Sequence, residues 1–491
     1  MANAGVEAVP DAAGNPAEAQ AGNVRSVTAP PGGIVNRRAP WILFFVVLIV
    51  HGLSPVSQVG DSRLSLATAL SVVTEGDLDL DEYSSVRDIP DRADVTVIDG
   101  HAYWAFPWPS ALALIPVAAI GKAVHFADSN LDLRRVANGR DTAFIEKPAA
   151  SILTAVTTVI LFHLATEILS GSVKRRRRNA LLACLVFAFA TGAWSTASLA
   201  FWSHGPSLLL VSGALLALMR MEQSRRWAVI AGISMAGAYA VRPSNLVVVG
   251  GLFAWALLFR RRRVPYLAGG ALGVLVPFFA VNLATFAKLL PAYYDNGRLQ
   301  LLSGTPEALA GLLVSPSRGL FIFTPVALLS VYGVWKSVRT KRLTSLYLIL
   351  ASIVVLYWGA LGLFDHWWGG SSFGPRLFTD MLPLFFVLAL PTVDALDDRS
   401  ISKSLRMLTA ILVIYSGVIN AGGAVLRASW CWNSDPVHVD AQPSRLWDWG
   451  DSQAIRGWNV LVRSGPAEAI GRRCSVVPLN VRDEVGIRPT Q

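Results

Sequence analysis

The sequence predicts an all-α polytopic membrane protein, with about eleven transmembrane helices and long external loops carrying surface helices. Hydrophobic residues make up 53% of the 491 positions and charged residues only 15%, well off the composition of a soluble domain. Mean hydropathy is +0.47, and the apolar runs are continuous rather than alternating, which fits helices and excludes a closed β-barrel. The basic residues cluster in short segments between those runs, so the net charge of +10 reads as a topology signal rather than a nucleic-acid footprint. No cysteine spacing suits a zinc site.

Residues 1–36 are rich in Ala, Gly and Pro and read as a disordered cytoplasmic tail. The first apolar run begins at Ala39 with no cleavage site after it, so it is an anchor and not a signal peptide. Arg37 and Arg38 precede it and put the N-terminus in the cytoplasm. Further basic clusters are Lys174 to Arg178, Arg225 with Arg226, Arg260 to Arg263, Lys336 to Arg342, and Arg399 with Lys403 and Arg406. Holding all five inside requires spans near 148–169, 179–196, 205–221, 227–241, 244–260, 265–286, 318–335, 343–363, 377–396 and 405–425. The membrane domain is thus 37–426, with a first external loop over 54–147, a second over 289–317, and an external tail over 427–491. Trp108 to Val124 must then not cross. With Pro107, Pro109 and Pro116 it reads as a re-entrant or surface helix.

Gly60 to Tyr83 follows the first span. Leu66, Ala69, Leu70 and Val73 recur at helical spacing, opposite Ser65, Thr68, Ser71 and Glu75. That pattern predicts an amphipathic helix on the bilayer surface, ended by Gly76. It would hold Asp61 and Arg63 at the membrane edge.

Charges near a span's centre cost roughly 2.5–3.5 kcal/mol, so those at span ends invite a functional question. They are Asp61, Arg63, His204, Arg242, Arg318, Asp365, His366, Arg376 and Asp380, all at expected external ends. Singly, each apart from Asp61 and Arg376 is as well explained by snorkelling to the headgroups. Three contexts sharpen the reading: Trp202-Ser203-His204-Gly205-Pro206, the helix break at Arg242-Pro243, and the Gly-rich aromatic run from His366 to Arg376. Flexible backbone donors, a helix N-terminus and an Arg suit a phosphate group. A carboxylate beside such cations suits removal of a proton from an acceptor that attacks an anomeric carbon while phosphate departs. Asp77, Asp79 and Asp81 read first as a solvated face.

Three features resemble the GT-C superfamily of membrane glycosyltransferases, in the branch of protein O-mannosyltransferases and the lipid A aminoarabinose transferase. They are Asp61-Ser62-Arg63 before a helix ending in Gly76-Asp77, the entry Gly100, Tyr103 and Pro107-Trp108-Pro109 leading to Gly121, and the second long external loop. The resemblance covers most of 37–395. It implies Asp61 as catalytic base, a polyprenyl-phosphate sugar as donor, and an inverting reaction with neither metal nor cofactor. Arg376, Arg242 and His204 are the expected donor-phosphate ligands, with Arg63, Asp77, His366 and Arg318 supporting or touching substrate. Where aminoarabinose-type relatives often carry Lys before the first Pro of that entry, this chain has Phe106. Ser315 to Phe321 and Arg445 to Trp449 are similar to features of a bacterial subgroup.

The expected partners are membrane lipid, the lipid-linked donor, and an acceptor glycan, lipid or protein, with no nucleic acid. The expected place is the plasma (inner) membrane, with the active site and C-terminus on the periplasmic or external side. Rival readings are a flippase for lipid-linked sugars, a non-catalytic scaffold, and a metal-dependent oligosaccharyltransferase using Glu75 and Asp77. Cys431 and Cys474 are both external on this topology and would pair in an oxidising compartment.

Overall fold

A computed structural model describes residues 38–474 apart from 59, 84–85, 87–93, 124–141, 295–303 and 399–400. The expected tail over 1–36 and the basic residue Arg399 lie outside the described residues. The chain is mostly helical, and five helices are long and apolar enough to cross a membrane: Ala143–Ile168, Arg261–Phe286, Thr344–Leu361, Arg376–Leu396 and Lys403–Val425. Shorter apolar helices accompany them, among them α1 (Ala39–Leu53) and His204–Arg220.

Helix α2 (Ser65–Thr74) forms where the sequence places it but not in the expected setting. Ser65, Thr68 and Ser71 are as buried as Leu66 and Ala69, so neither face lies on a bilayer surface. The hydroxyls make this possible. Thr68 donates to the Leu64 carbonyl at 2.9 Å, and Ser71 donates to Asp77 Oδ1 and the Asp79 carbonyl, both at 2.8 Å. Short polar side chains bonded locally can be buried at little cost.

What covers α2 includes a β-hairpin that the all-α expectation lacked. Strands β1 (Val95–Ile98) and β2 (His101–Trp104) pair antiparallel, Val95 opposite Trp104 and Ile98 opposite His101. Asp99 and Gly100, at φ 51° and 88°, make the two-residue turn. Asp-Gly between alternating β-formers is the strongest short hairpin signal, because both central residues need positive φ. Gly100→Ala is expected to lower stability by about 1 kcal/mol, since an added Cβ meets no neighbour and only the backbone conformation is penalised. Thermal unfolding checks it.

Trp108–Leu114 is a 3-10 turn running into α3 (Ile115–Ala123), and both pack on α2. Leu64, Leu70, Leu80, Tyr83, Trp104 and Leu114 share one buried cluster. The described part of the first loop is therefore a small folded unit with its own core. The second loop meets it where Tyr293 donates its N–H to the Ala105 carbonyl at 3.1 Å and sets its ring centre 4.7 Å from that of Phe106, the two rings tilted.

The bundle proper contains α4 (Ala143–Ile168), α5 (Val173–Phe189), α6 (His204–Arg220), α7 (Arg225–Val241), α8 (Leu246–Phe259) and α9 (Val264–Phe286). It continues with α10 (Thr305–Val314), α11 (Leu329–Thr340), α12 (Thr344–Leu361), α13 (Leu382–Leu396) and α14 (Lys403–Val425). The span expected over 318–335 is not one helix. Leu320–Phe323 is a single turn, Thr324 leaves the helical region, and α11 begins only at Leu329. Pro325 removes a helical donor and drives its predecessor out of the α region.

Close helix contacts use small residues, as in other membrane bundles. A Cβ on Gly232 of α7 would stand 1.9 Å from the Leu267 carbonyl oxygen of α9. Backbone cannot yield that distance, so Gly232→Ala is expected to cost about 3 kcal/mol or more through separation of the two helices. A fall in melting temperature measures it.

The basic clusters gather at the end of the bundle away from Asp61. Arg220 pairs with Glu167 at 2.5 Å, Arg263 with Glu222 at 3.6 Å, and Arg175 and Arg178 with Asp397 at 3.0 and 2.5 Å.

The C-terminal segment is built on the opposite end. Helix α15 (Gln453–Ser464) and the turn at Arg427–Cys431 pack together, and Cys431 is disulfide-bonded to Cys474. Trp432 is fully buried between two guanidinium groups, Arg318 at 5.1 Å and Arg445 at 4.6 Å from its ring centre.

Candidate active site

Asp61 sits in a 3-10 turn, Gly60–Ser62, whose surroundings leave it little freedom. Lys147 donates to the Val56 carbonyl at 2.7 Å, Gln58 N–H to the Leu199 carbonyl at 2.9 Å, and the Ser62 hydroxyl to Glu146 Oε2 at 2.5 Å. Glu146 and Lys147 open α4 as a buried acid and base just ahead of Pro148. Sequence reasoning overlooked both, although a charged pair at a membrane edge is an available signal.

The partner of Asp61 comes from 315 positions away. Arg376 Nη1 donates to Asp61 Oδ2 at 2.7 Å, with the carboxylate side chain 42% exposed and the arginine 13%. The guanidinium lies 4.9 Å above the ring of Trp202. Arg376 Nε and Trp202 Nε1 are buried and, among the described residues, have no hydrogen-bond partner. A Cβ on Gly60 would meet Trp202 Nε1 at 3.5 Å, so the indole borders the turn that carries Asp61. An open carboxylate, a guanidinium and two unfilled donors thus share one small region.

Beneath it lies a second charged layer. Asp380 is completely buried, with Arg242 Nε 2.6 Å from Oδ2, His204 Nδ1 3.3 Å from Oδ1, and the Tyr357 hydroxyl donating at 3.3 Å. Arg242 also donates to Ser203 Oγ at 3.0 Å. Arg242 is extended because Pro243 follows it, which ends α7 and turns its side chain across the bundle. Trp202, Ser203 and His204 are consecutive, so one segment touches both layers.

The other expected residues lie apart. Arg63 is not the partner of Asp61, and its Nε is buried with no hydrogen-bond partner among the described residues. Asp77 accepts from Ser71 at the foot of α2. His366 is half-exposed beside Asp365 at 3.1 Å, its ring 4.9 Å from that of Trp368.

Arg318 is buried, and its donors go to the carbonyls of Ser317, Trp368 and Gly370 and to the side-chain oxygens of Asn433 and Gln453, at 2.6–3.0 Å. It therefore ties the loop before Arg376 to the C-terminal segment. Gln453 completes the tie, accepting from Gly374 N–H at 2.9 Å and donating to the Ser372 carbonyl at 2.8 Å. The Gly-rich run expected to offer flexible donors is instead pinned, because its carbonyls are already bonded. Ser315 donates to the Leu446 carbonyl at 2.6 Å, so the two subgroup-like motifs touch each other.

Asp79, Asp81 and His101 place ligand atoms within 4.8 Å of one another. Asp81 accepts from the Ala102 N–H at 2.8 Å and lies 2.6 Å from His101 Nδ1, so it also fastens the hairpin. The hydrogen bond to Asp81, followed by its charge, raises the His101 imidazolium above its ordinary value. A raised histidine contributes stability that is full below the ordinary imidazole value and lost as pH rises through the folded one. The side chain is more than half exposed, so the effect is small and salt-sensitive. Histidine NMR titration with and without Asp81→Asn is expected to show the upward shift only in the native chain.

Five apolar helices of spanning length, and a polar centre built from charges at one end of the bundle, define a helical membrane protein. No protein-family model matches the chain, and no curated protein matches it.

Proposed function

We propose that the chain is a glycosyltransferase of the GT-C kind, moving a sugar from a polyprenyl-phosphate donor to an acceptor on the outer face of the plasma membrane. The observation that carries this reading is the Asp61–Arg376 pair, an accessible carboxylate held 2.7 Å from an otherwise buried guanidinium. In the reaction, Asp61 takes the proton of the acceptor hydroxyl or amine as that atom attacks the anomeric carbon. The bond from that carbon to the phosphate oxygen breaks, and its electron pair leaves with the polyprenyl phosphate. Arg376 then meets the developing charge, with Trp202 Nε1 as a neighbouring neutral donor. Arg242 and His204 act one layer deeper, where Asp380 holds them, and support rather than meet the phosphate. Attack opposite the leaving group inverts the sugar.

The reading takes the shorter helices at Ala39–Leu53, Val173–Phe189, His204–Arg220, Arg225–Val241 and Pro243–Phe259, together with the broken segment over 318–335, as crossings too, for about eleven in all. The N-terminus is then cytoplasmic and Asp61 external, because the basic clusters share the other end.

The test is transfer from a panel of polyprenyl-phosphate sugars in purified membranes. Transfer from at least one donor, with inverted stereochemistry, is the expected result. Movement of an intact lipid-linked sugar across liposomes, without transfer from any donor, would replace the enzyme by a flippase.

A further inference from the structure

The end of the bundle opposite Asp61 holds a cavity of about 730 Å³, lined among others by Arg175, Lys336, Arg342, Tyr347, Asp394 and Asp397. Asp380 and Asp394 lie on one helical run, so the cavity is about 20 Å from the candidate active site along that run.

Its charges are unevenly satisfied. Asp397 is neutralised by Arg175 and Arg178. Asp394 Oδ2 accepts from the Ser170 N–H at 2.9 Å and the Ser170 hydroxyl at 2.6 Å, with Arg342 Nη1 at 3.4 Å. Its other oxygen, Oδ1, is buried and has no hydrogen-bond partner among the described residues. The same holds for the hydroxyl of Tyr347, whose side chain is 1% exposed. Lys336 is half-buried at the cavity, and its ammonium has no partner among the described residues either. Buried polar groups in folded proteins are almost always paired, so an unpaired donor and acceptor at one cavity point to a ligand with matching groups. That ligand accepts from Lys336 and Tyr347 and donates to Asp394.

The neighbouring surface says where it comes from. Lys336 lies on α11, whose outward face exposes Val331, Trp335 and Val338 by 67, 50 and 43%. Arg339 stands 5.6 Å over Trp335 on the same turn, an aromatic and a cation arranged as at a membrane interface. A ligand entering beside this face brings acyl chains with it.

We propose that this cavity binds the phosphoglycerol headgroup of an anionic membrane lipid, with Lys336 and Tyr347 on the phosphate and Asp394 on a glycerol hydroxyl. The lining holds three bases, Arg175, Lys336 and Arg342, against three carboxylates, Asp394, Asp397 and Asp398, so the pull on the phosphate comes from Lys336 locally rather than from a net basic charge. A Lys or Arg near a bilayer surface contributes about fivefold in affinity for an anionic headgroup. The site is independent of the transfer reaction.

The test is native mass spectrometry of the full chain released from phosphatidylcholine nanodiscs carrying a minority of phosphatidylglycerol. The native protein is expected to retain phosphatidylglycerol preferentially, and Lys336→Gln and Tyr347→Phe each to reduce that retention about fivefold. The Lys336 ammonium makes no hydrogen bond or ion pair among the described residues, so its variant is expected to melt like the native protein in phosphatidylcholine alone, separating lipid loss from misfolding. Undiminished retention in both variants overturns the proposal. So does glycerol 3-phosphate binding as tightly as the lipid, which would make the ligand a soluble phosphate.

Discussion

Asp61→Asn is expected to lower the turnover of sugar transfer about 10³-fold, the usual contribution of a positioned general base. Asparagine keeps the shape of the carboxylate and its contact with Arg376, but it cannot take the acceptor's proton. The Michaelis constant for the donor is expected to stay the same or fall, because the variant removes a negative charge that competes with the donor phosphate for Arg376. This split between turnover and donor affinity separates a lost base from a lost binding site. Steady-state kinetics with a single donor measures it. Turnover within about threefold of native would remove Asp61 from the chemistry, whatever the donor.

Arg318→Met is expected to have the largest effect on the fold, about 3–5 kcal/mol. The guanidinium is buried, stacks on Trp432, and is satisfied entirely by neutral oxygens. Methionine fills much of the volume but leaves the Trp368 and Gly370 carbonyls, Asn433 and Gln453 without their shared donor. The C-terminal segment then loses its main tie to the loop before Arg376. Limited proteolysis is expected to cut between Trp432 and Gln453 in the variant and to spare the native chain. Transfer is expected to fall as well, since the same loop aims Arg376 at Asp61. A variant with native melting and proteolysis would show that the disulfide and aromatic packing suffice to hold the segment.

The helical membrane character, the approximate place of most helices and the residues worth watching at their ends were legible without a structure. Asp61, Arg376, Arg242 and His204 stood out because ionised groups beside apolar runs are costly and rarely accidental. The Asp99-Gly100 hairpin was equally legible from its turn pair but was masked by the helical character of the rest. The buried polar face of α2 was not. Hydropathy cannot tell a hydroxyl facing water from one bonded to its own backbone.

Sequence by itself therefore determined the solvent this chain is built for, where most of its helices run, and which charges stand at their ends. Those properties depend on local composition and on the cost of leaving water. Only the tertiary structure decided that Asp61 meets Arg376 and not Arg63, that Asp380 binds Arg242 and His204, and that Arg318 is a clamp. Each depends on contacts between segments roughly 50 to 300 residues apart, whose pairing is set by the packing of helices and loops. Residue type alone does not choose among several arginines for one carboxylate; distance in the folded chain does.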